Sequence, residues 1–341
     1  MLLDDVIEGA LDEFREGFAT SIRVRLDANG RMTVSDDSNG VDPTLCLPMG
    51  QIALEAMLTD VRAERPINGV LAKGSPHGLA YCVINALSRE CVVESCRDHQ
   101  TARLIFAQGR AVEPLAIAES HLPNGFTVSF LPDPEIFGDA KLSPTIVRKF
   151  LWEQAVLSPG VRIVFHDESA AFSETFRFPD GVLEFVKRES ADEQPIWPAP
   201  VRFECRLGRH RLDIAAHLVN RSAPRHTAFA NRSPCSQGGT HVNAAYAGIA
   251  KALQRCAPLS MKGIEGWGTW DFVRGVVLAI AVDIEDAHYE GPVREKLANP
   301  EIDRWVTTFV STSFEEFFLT HFDYIRRWQA ALEAADVVPR E

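Results

Sequence analysis

Apolar residues at Leu2, Leu3, Val6, Ile7, Ala10, Leu11, Phe14 and Phe18 follow the three-to-four spacing of an amphipathic helix over 2–18. The period then drops to two. Residues 22–26 (IRVRL) alternate, 27–30 (DANG) form a turn sequence and 32–34 return, which predicts a β-hairpin. A helix is predicted near 51–62 and another over 79–88. Residues 91–130 read as strands with a turn at Asn124-Gly125, residues 143–157 as a helix, and 161–165 and 176–178 as strands. The stretch 189–200 mixes charge with Pro195, Pro198 and Pro200 and is the best linker candidate. It predicts one domain over 1–190 and a second over 191–341. In the second, alternating strands span 201–218, Gly238-Gly239 turns into a helix over 243–255, 276–282 is a buried strand, and a long helix covers 314–335. The class is α/β (α+β).

Length and charge narrow the picture. At 341 residues and 46% hydrophobic, the chain can bury a substantial core. A net charge of −12 argues against a general nucleic-acid coat protein. No run of about 18 apolar residues offers a membrane span, and the acidic start Met1-Leu2-Leu3-Asp4-Asp5 lacks the basic segment of a signal peptide, so a cytoplasmic protein is expected. The seven cysteines are scattered without a CxxC pair, as buried free thiols would be.

Residues 73–80 (KGSPHGLA) followed by 81–88 (YCVINALS) describe a glycine-containing loop that turns into a buried helix. Backbone N–H groups at such a turn can hold an anion. The segment also resembles the ATP-lid motif of the B subunits of DNA gyrase and topoisomerase IV, GGLHGVG before VNALS. Further stretches carry the same likeness: residues 6–13 (VIEGALDE), 33–41 (TVSDDSNGV), 132–137 (PDPEIF), 229–241 (FANRSPCSQGGTH) and 289–297 (YEGPVREKL). In order, these resemble the helix VVDNSIDEA, the loop VxDDGRGIP, PDPEIF, FxNNIxTxxGGTH and FEGQTKxKL of that family. The resemblance covers nearly the whole chain. It implies a GHKL (Bergerat-type) ATPase sandwich followed by a ribosomal-protein-S5-domain-2-like transducer domain with a long C-terminal helix. The family's N-terminal arm and first strand would precede Met1, and its DNA-cleavage domain would follow residue 341.

The resemblance also implies roles. Asp5 stands at the family's general-base glutamate, one methylene shorter, and Gly9 replaces the asparagine that holds Mg²⁺ one helical turn later. Such a spacing sets both on one helix face. Asp5 is therefore either a weak base or a solvated acid favoured by the helix dipole. Asp36 matches the aspartate that accepts from the adenine amine, and Gly40 the glycine that admits the purine. An ordinary turn would have the same sequence. In the phosphate loop Gly74, His77 and Gly78 match, while Ser75, Pro76 and Ala80 depart, and Pro76 removes a backbone donor. Arg97 matches a pocket-rim arginine. Phe126 replaces a threonine near the adenine. In the transducer the family's phosphate-contacting glutamine and lysine become Pro292 and Arg294. Arg294 can still pair with phosphate.

Frame positions thus follow the family while chemical positions are altered, which predicts a retained fold with weak or lost hydrolysis. ATP and Mg²⁺ are the expected cofactors if the site functions, and none otherwise. Arginines at 202, 206, 209, 211, 221, 225 and 232 form a basic segment. Arg202, Arg206, Arg209 and Arg211 are the DNA-contact candidates, unless the strip is simply a solvated sheet face. Two readings stand: an ATP-binding topoisomerase-like protein, homodimeric or acting with a DNA-cleaving partner, and a non-catalytic paralogue that serves as a dimerisation, partner-binding or regulatory module.

Overall fold

The structure is a computed structural model that describes residues 2–47, 50–61, 63, 66–67, 70–71, 80–138, 142–257 and 267–336. The chain divides into two compact units, 1–179 and 180–341.

The first unit runs α1 (Leu2–Arg15), β1 (Ser21–Leu26), β2 (Met32–Asp36), α2 (Ala53–Thr59), β3 (Pro66–Ile67), β4 (Val70–Leu71), α3 (Ala80–Ala86), β5 (Ser88–Arg97), β6 (Gln100–Ala107), β7 (Arg110–Ala111), β8 (Ala116–Glu119), β9 (Gly125–Pro132), α4 (Pro134–Phe137), α5 (Pro144–Leu157), β10 (Arg162–Asp167) and β11 (Phe172–Phe176). Its main sheet has the order β11-β10-β1-β2-β9-β5-β6-β7, with β8 also pairing β6. All pairs are antiparallel except β1 with β10. Period-two alternation turns Ile22, Val24, Leu26, Met32, Val34, Val93, Leu104, Val128 and Phe130 to one face. The apolar stripe of α1 (Leu3, Val6, Ile7, Ala10 and Leu11) covers that face, joined by Ile84 of α3 and Val147 and Leu151 of α5. The outcome is a two-layer α/β sandwich.

The second unit holds α6 (Leu183–Glu189), β12 (Val201–Leu207), β13 (His210–Leu218), β14 (Arg225–Ala230), β15 (Ser233–Pro234), α7 (Thr240–Cys256), α8 (Thr269–Phe272), β16 (Val276–Asp283), α9 (Glu301–Thr320) and α10 (Phe322–Asp336). Its sheet order is β12-β13-β16-β14-β15, with β14 and β16 parallel. One face packs under α7 and α9 through Leu212, Ile214, Leu278, Ile280, Ile249 and Val310. Helix α6 lies against the other face, where Phe185 meets Phe229 at 5.0 Å between ring centroids.

Two expectations change. The stretch 189–200 is not a linker. Trp197 is fully buried in the second core, its N–H and that of Ile196 both donate to Leu218 O, and the Ser190 hydroxyl bonds His217 Nδ1 at 3.0 Å. The prolines shape a packed segment, and the units part at 179/180 rather than at 190. The predicted helix over 314–335 is two helices, broken at His321, whose φ of −127° and ψ of 64° leave the helical region. The break is capped locally: Thr320 Oγ1 donates to Phe317 O at 2.9 Å, and the His321 ring stacks on Phe317 at 4.2 Å. Among the described residues no helix is long and apolar enough to cross a membrane.

Candidate functional site

Asp36 ends β2 on the buried face of the first sheet, where the chain turns sharply. Its Oδ1 accepts the Ser38 N–H at 3.0 Å, an Asx turn that the sequence DDSNG favours. Gly40 follows at φ +68°, and a Cβ there would lie 2.6 Å from Cys96 O, 2.9 Å from Ser95 Oγ and 3.0 Å from Gly125 O. Only glycine satisfies both the left-handed backbone and this approach.

Two anchors hold the turn. Asp37 accepts the N–H and hydroxyl of Thr20 and the N–H of Ser21, at 2.6–2.8 Å. Burial raises the Asp37 pKa, but these hydrogen bonds outweigh it and hold the carboxyl below its ordinary value. On the other side Ser95 Oγ accepts the Val41 N–H at 2.7 Å and donates to Val41 O at 2.8 Å. Arg97 Nη1 donates to Gly40 O at 3.2 Å, so its guanidinium buttresses the loop.

In register, Asp36 lies opposite Phe126 and Phe126 opposite Ser95. A polar–aromatic–polar row thus crosses β2, β9 and β5. The Phe126 ring is buried beside Asp36 and meets Tyr81 of α3 edge-on, 5.9 Å between centroids. Asp5 and Gly9 sit one turn apart on α1, the first half-buried and the second buried. Helix α1, which carries Asp5, packs against α3, where burial raises the pKa of the Cys82 thiol and the carboxylates of Asp60 and Asp5 add to it. Gly74, Ser75, Pro76, His77 and Gly78 lie outside the described residues.

An ionised carboxylate is acceptor-only and suits an exocyclic amine donor, so Asp36 fits the adenine of ATP. Mg²⁺ fits less well. Gly9 offers no side-chain ligand atom.

Arg294 lies in the second unit, exposed, on a turn spanning Tyr289 to Leu297. Leu297 N–H donates to Gly238 O and Leu297 O accepts from Thr240 N–H. Gly239, at φ +131°, could not carry a Cβ, which would lie 2.3 Å from Leu297 O. The GGTH sequence therefore exists here to let this turn approach the start of α7. Pro292 is exposed at the turn's tip.

The four DNA-contact candidates do not form a uniform strip. Arg202 pairs with Asp213 through two bonds of 2.7 and 3.0 Å and also with Glu204. Arg211 takes the same Asp213 at 3.0 Å and approaches Asp283 at 3.9 Å. Arg209, 83% exposed, pairs with Glu285 at 3.2 Å, and Arg206 is exposed. Sequence reasoning missed Asp283 and Glu285, which β16 and the residues after it bring alongside. It also missed Ser95, although a serine at a core position of an alternating strand is a readable signal.

The DNA gyrase B family model matches residues 181–333. The DNA gyrase B subunit of Thermus thermophilus is 32% identical over 310 residues, 88% of this chain and 48% of that protein. The type 2 topoisomerase B subunit of Aquifex aeolicus is 28% identical over 340 residues, 98% of this chain and 43% of that protein. The chain therefore spans about half the length of the curated relatives it matches. The 43K ATPase domain of T. thermophilus gyrase B, solved with an aminocoumarin, superposes with a TM-score of 0.86 at 28% identity, covering 98% of this chain and 89% of that one. The topoisomerase IV ATP-binding domain of Francisella tularensis shares the fold, at a TM-score of 0.80 and 23% identity over 97% and 90% of the two chains. With the sandwich, the second α/β unit and the ordered motifs, these likenesses match the chain over nearly its whole length to the N-terminal ATPase region of the gyrase and topoisomerase IV B-subunit family.

Proposed function

We propose that the protein binds ATP through Asp36, Gly40, Gly74, His77, Gly78 and Arg97, with Arg294 contacting phosphate, and that its hydrolysis is weak or lost. The observation that carries this is the buried Asp36 at a strand end, beside a Gly40 fixed at φ +68°, in a chain matching an ATPase domain over 98% of its length. When bound, Mg²⁺ would screen the phosphate charge. Gly9 would give it no side-chain ligand, and Asp5 would serve as a weak base, one methylene shorter than a glutamate. The nucleotide-gated protein works as a homodimer or with a DNA-cleaving partner in the cytoplasm. Its DNA contact falls on Arg206 and Arg209, since Arg202 and Arg211 are held by Asp213.

A second reading, a non-catalytic module for dimerisation or partner binding, draws support from the Phe126 ring buried beside Asp36.

Calorimetric titration with a non-hydrolysable ATP analogue and Mg²⁺, alongside an ATPase assay, separates the two. Binding with little turnover is expected. Asp36→Asn keeps an acceptor for Ser38 N–H but loses the charge, and is expected to weaken binding by about 10- to 100-fold. Equal affinity of the wild type and the variant overturns the assignment of Asp36. Absence of binding in both leaves the second reading. Brisk turnover removes the claim of lost hydrolysis.

A further inference from the structure

We infer that Tyr289 is a positioning residue that pre-orients the Arg294 guanidinium toward an anionic ligand; this rests on the reading of Arg294 as a phosphate contact. The backbone around Arg294 is clamped. Glu290 N–H donates to Lys296 O at 2.9 Å and Gln237 N–H to Glu295 O at 3.0 Å. Arg294 itself adopts a left-handed φ of 58°, a conformation few non-glycine residues hold outside a constrained turn.

Clamping the backbone does not fix a side chain with several rotatable bonds. Tyr289 does. Its hydroxyl donates to Ala230 O at 3.2 Å, which ties the ring to β14, and Arg294 Cζ lies over the ring face, 5.7 Å from its centroid. This is cation–π geometry.

The turn's acids are occupied elsewhere. Glu290 Oε2 pairs with Lys296 Nζ at 2.8 Å, and Glu295 Oε2 accepts from Gln237 Nε2 at 2.9 Å. Arg294 makes no ion pair among the described residues. The turn thus presents one exposed, oriented cation whose neighbouring carboxylates are already bound, an arrangement suited to a phosphoryl group and its bidentate geometry. Ordering the guanidinium beforehand lowers the entropy lost when it binds.

The test compares affinities for a non-hydrolysable ATP analogue and for ADP, each with Mg²⁺, in the wild type, Tyr289→Leu, Tyr289→Phe and Arg294→Ala. Leu keeps an apolar contact but removes the ring face, and Phe keeps the ring without the hydroxyl. Tyr289→Leu is expected to lower analogue affinity about two- to fivefold with ADP affinity unchanged, and Tyr289→Phe to restore most of the difference. An unchanged ratio in Tyr289→Leu, with a lowered one in Arg294→Ala, overturns the inference and leaves the phosphate reading standing. If the wild type binds no nucleotide, or Arg294→Ala leaves the ratio intact, the phosphate reading fails. Side-chain ¹⁵Nε relaxation of Arg294 then decides the positioning claim: order in the wild type that falls in Tyr289→Leu upholds it, and equal order in both overturns it.

Discussion

Gly40 is where backbone and neighbours constrain a single residue most tightly. Alanine there would meet a positive φ and a carbonyl 2.6 Å away. Gly40→Ala is expected to cost about 2–4 kcal/mol, read as a lower urea midpoint of the first unit by far-UV circular dichroism. An unchanged midpoint would mean the loop relaxes freely. His241 makes the second residue-scale prediction. It is fully buried at the start of α7, and neither ring nitrogen has a hydrogen-bond partner among the described residues. Burial pushes its pKa from 6.5 down to about 3, and His226 adds to the effect. Below about pH 6.5 the unfolded chain binds a proton that the folded chain refuses, so stability is present above that pH and is lost as pH falls toward 3. The loss approaches about 1.4 kcal/mol per pH unit below about pH 5.5. His241→Leu is expected to flatten that component in denaturation followed by tryptophan fluorescence, since five of the six tryptophans lie beyond residue 180. Parallel pH profiles of wild type and variant would rule the effect out. The turn from Asp36 to Gly40 was legible in the sequence because turn chemistry is local. The partners of Ser95 and of Arg209 were not, because strand register and a distant strand end bring them together.

Elements meet most closely where α7 crosses α9. A Cβ on Gly248 would lie 2.7 Å from Val310 Cβ and 3.0 Å from Thr307 O, while Thr307 Oγ1 donates to Ala244 O at 3.2 Å. Helix propensity favours alanine over glycine by about 1 kcal/mol, but the two helices would have to separate. Gly248→Ala is therefore expected to destabilise the second unit by about 1–3 kcal/mol. Adding Val310→Ala should recover part of the loss, and a gain in the single variant's melting temperature would contradict the close packing. The elements themselves were largely readable. The amphipathic α1, the hairpin β1–β2, α5, α7 and β16 follow hydrophobic periods that burial on one face enforces. Two readings failed for one reason: composition does not report burial. The prolines of 189–200 looked like a linker until Trp197 filled the core. The apolar period continues through His321, while the backbone there turns away and returns as α10.

On the scale of the whole molecule, a net charge of −12 opposes nucleic acid, so any DNA contact must be local. Four carboxylates, Glu204, Asp213, Asp283 and Glu285, pair with three of the four arginines of the β12–β13 hairpin, Arg202, Arg209 and Arg211, and Arg206 is exposed. Arg206→Ala with Arg209→Ala is expected to make the log–log salt dependence of duplex binding shallower by about 2, measured by fluorescence anisotropy. An unchanged slope would remove the proposed contact. The likeness to this family was legible because ordered motifs span the chain, whereas the charge balance of that face depends on β16, far along the sequence. The pairing of β1 with β10 sets a different constraint. Ser21 lies against Arg162, so the strand made first waits for a partner encoded some 140 residues later. At a synthesis rate of about 5–20 residues per second that interval is roughly 7–28 s. During it the nascent hairpin offers an open, apolar-faced edge on the ribosome, and the first unit's sheet cannot close until almost all of that unit has been made.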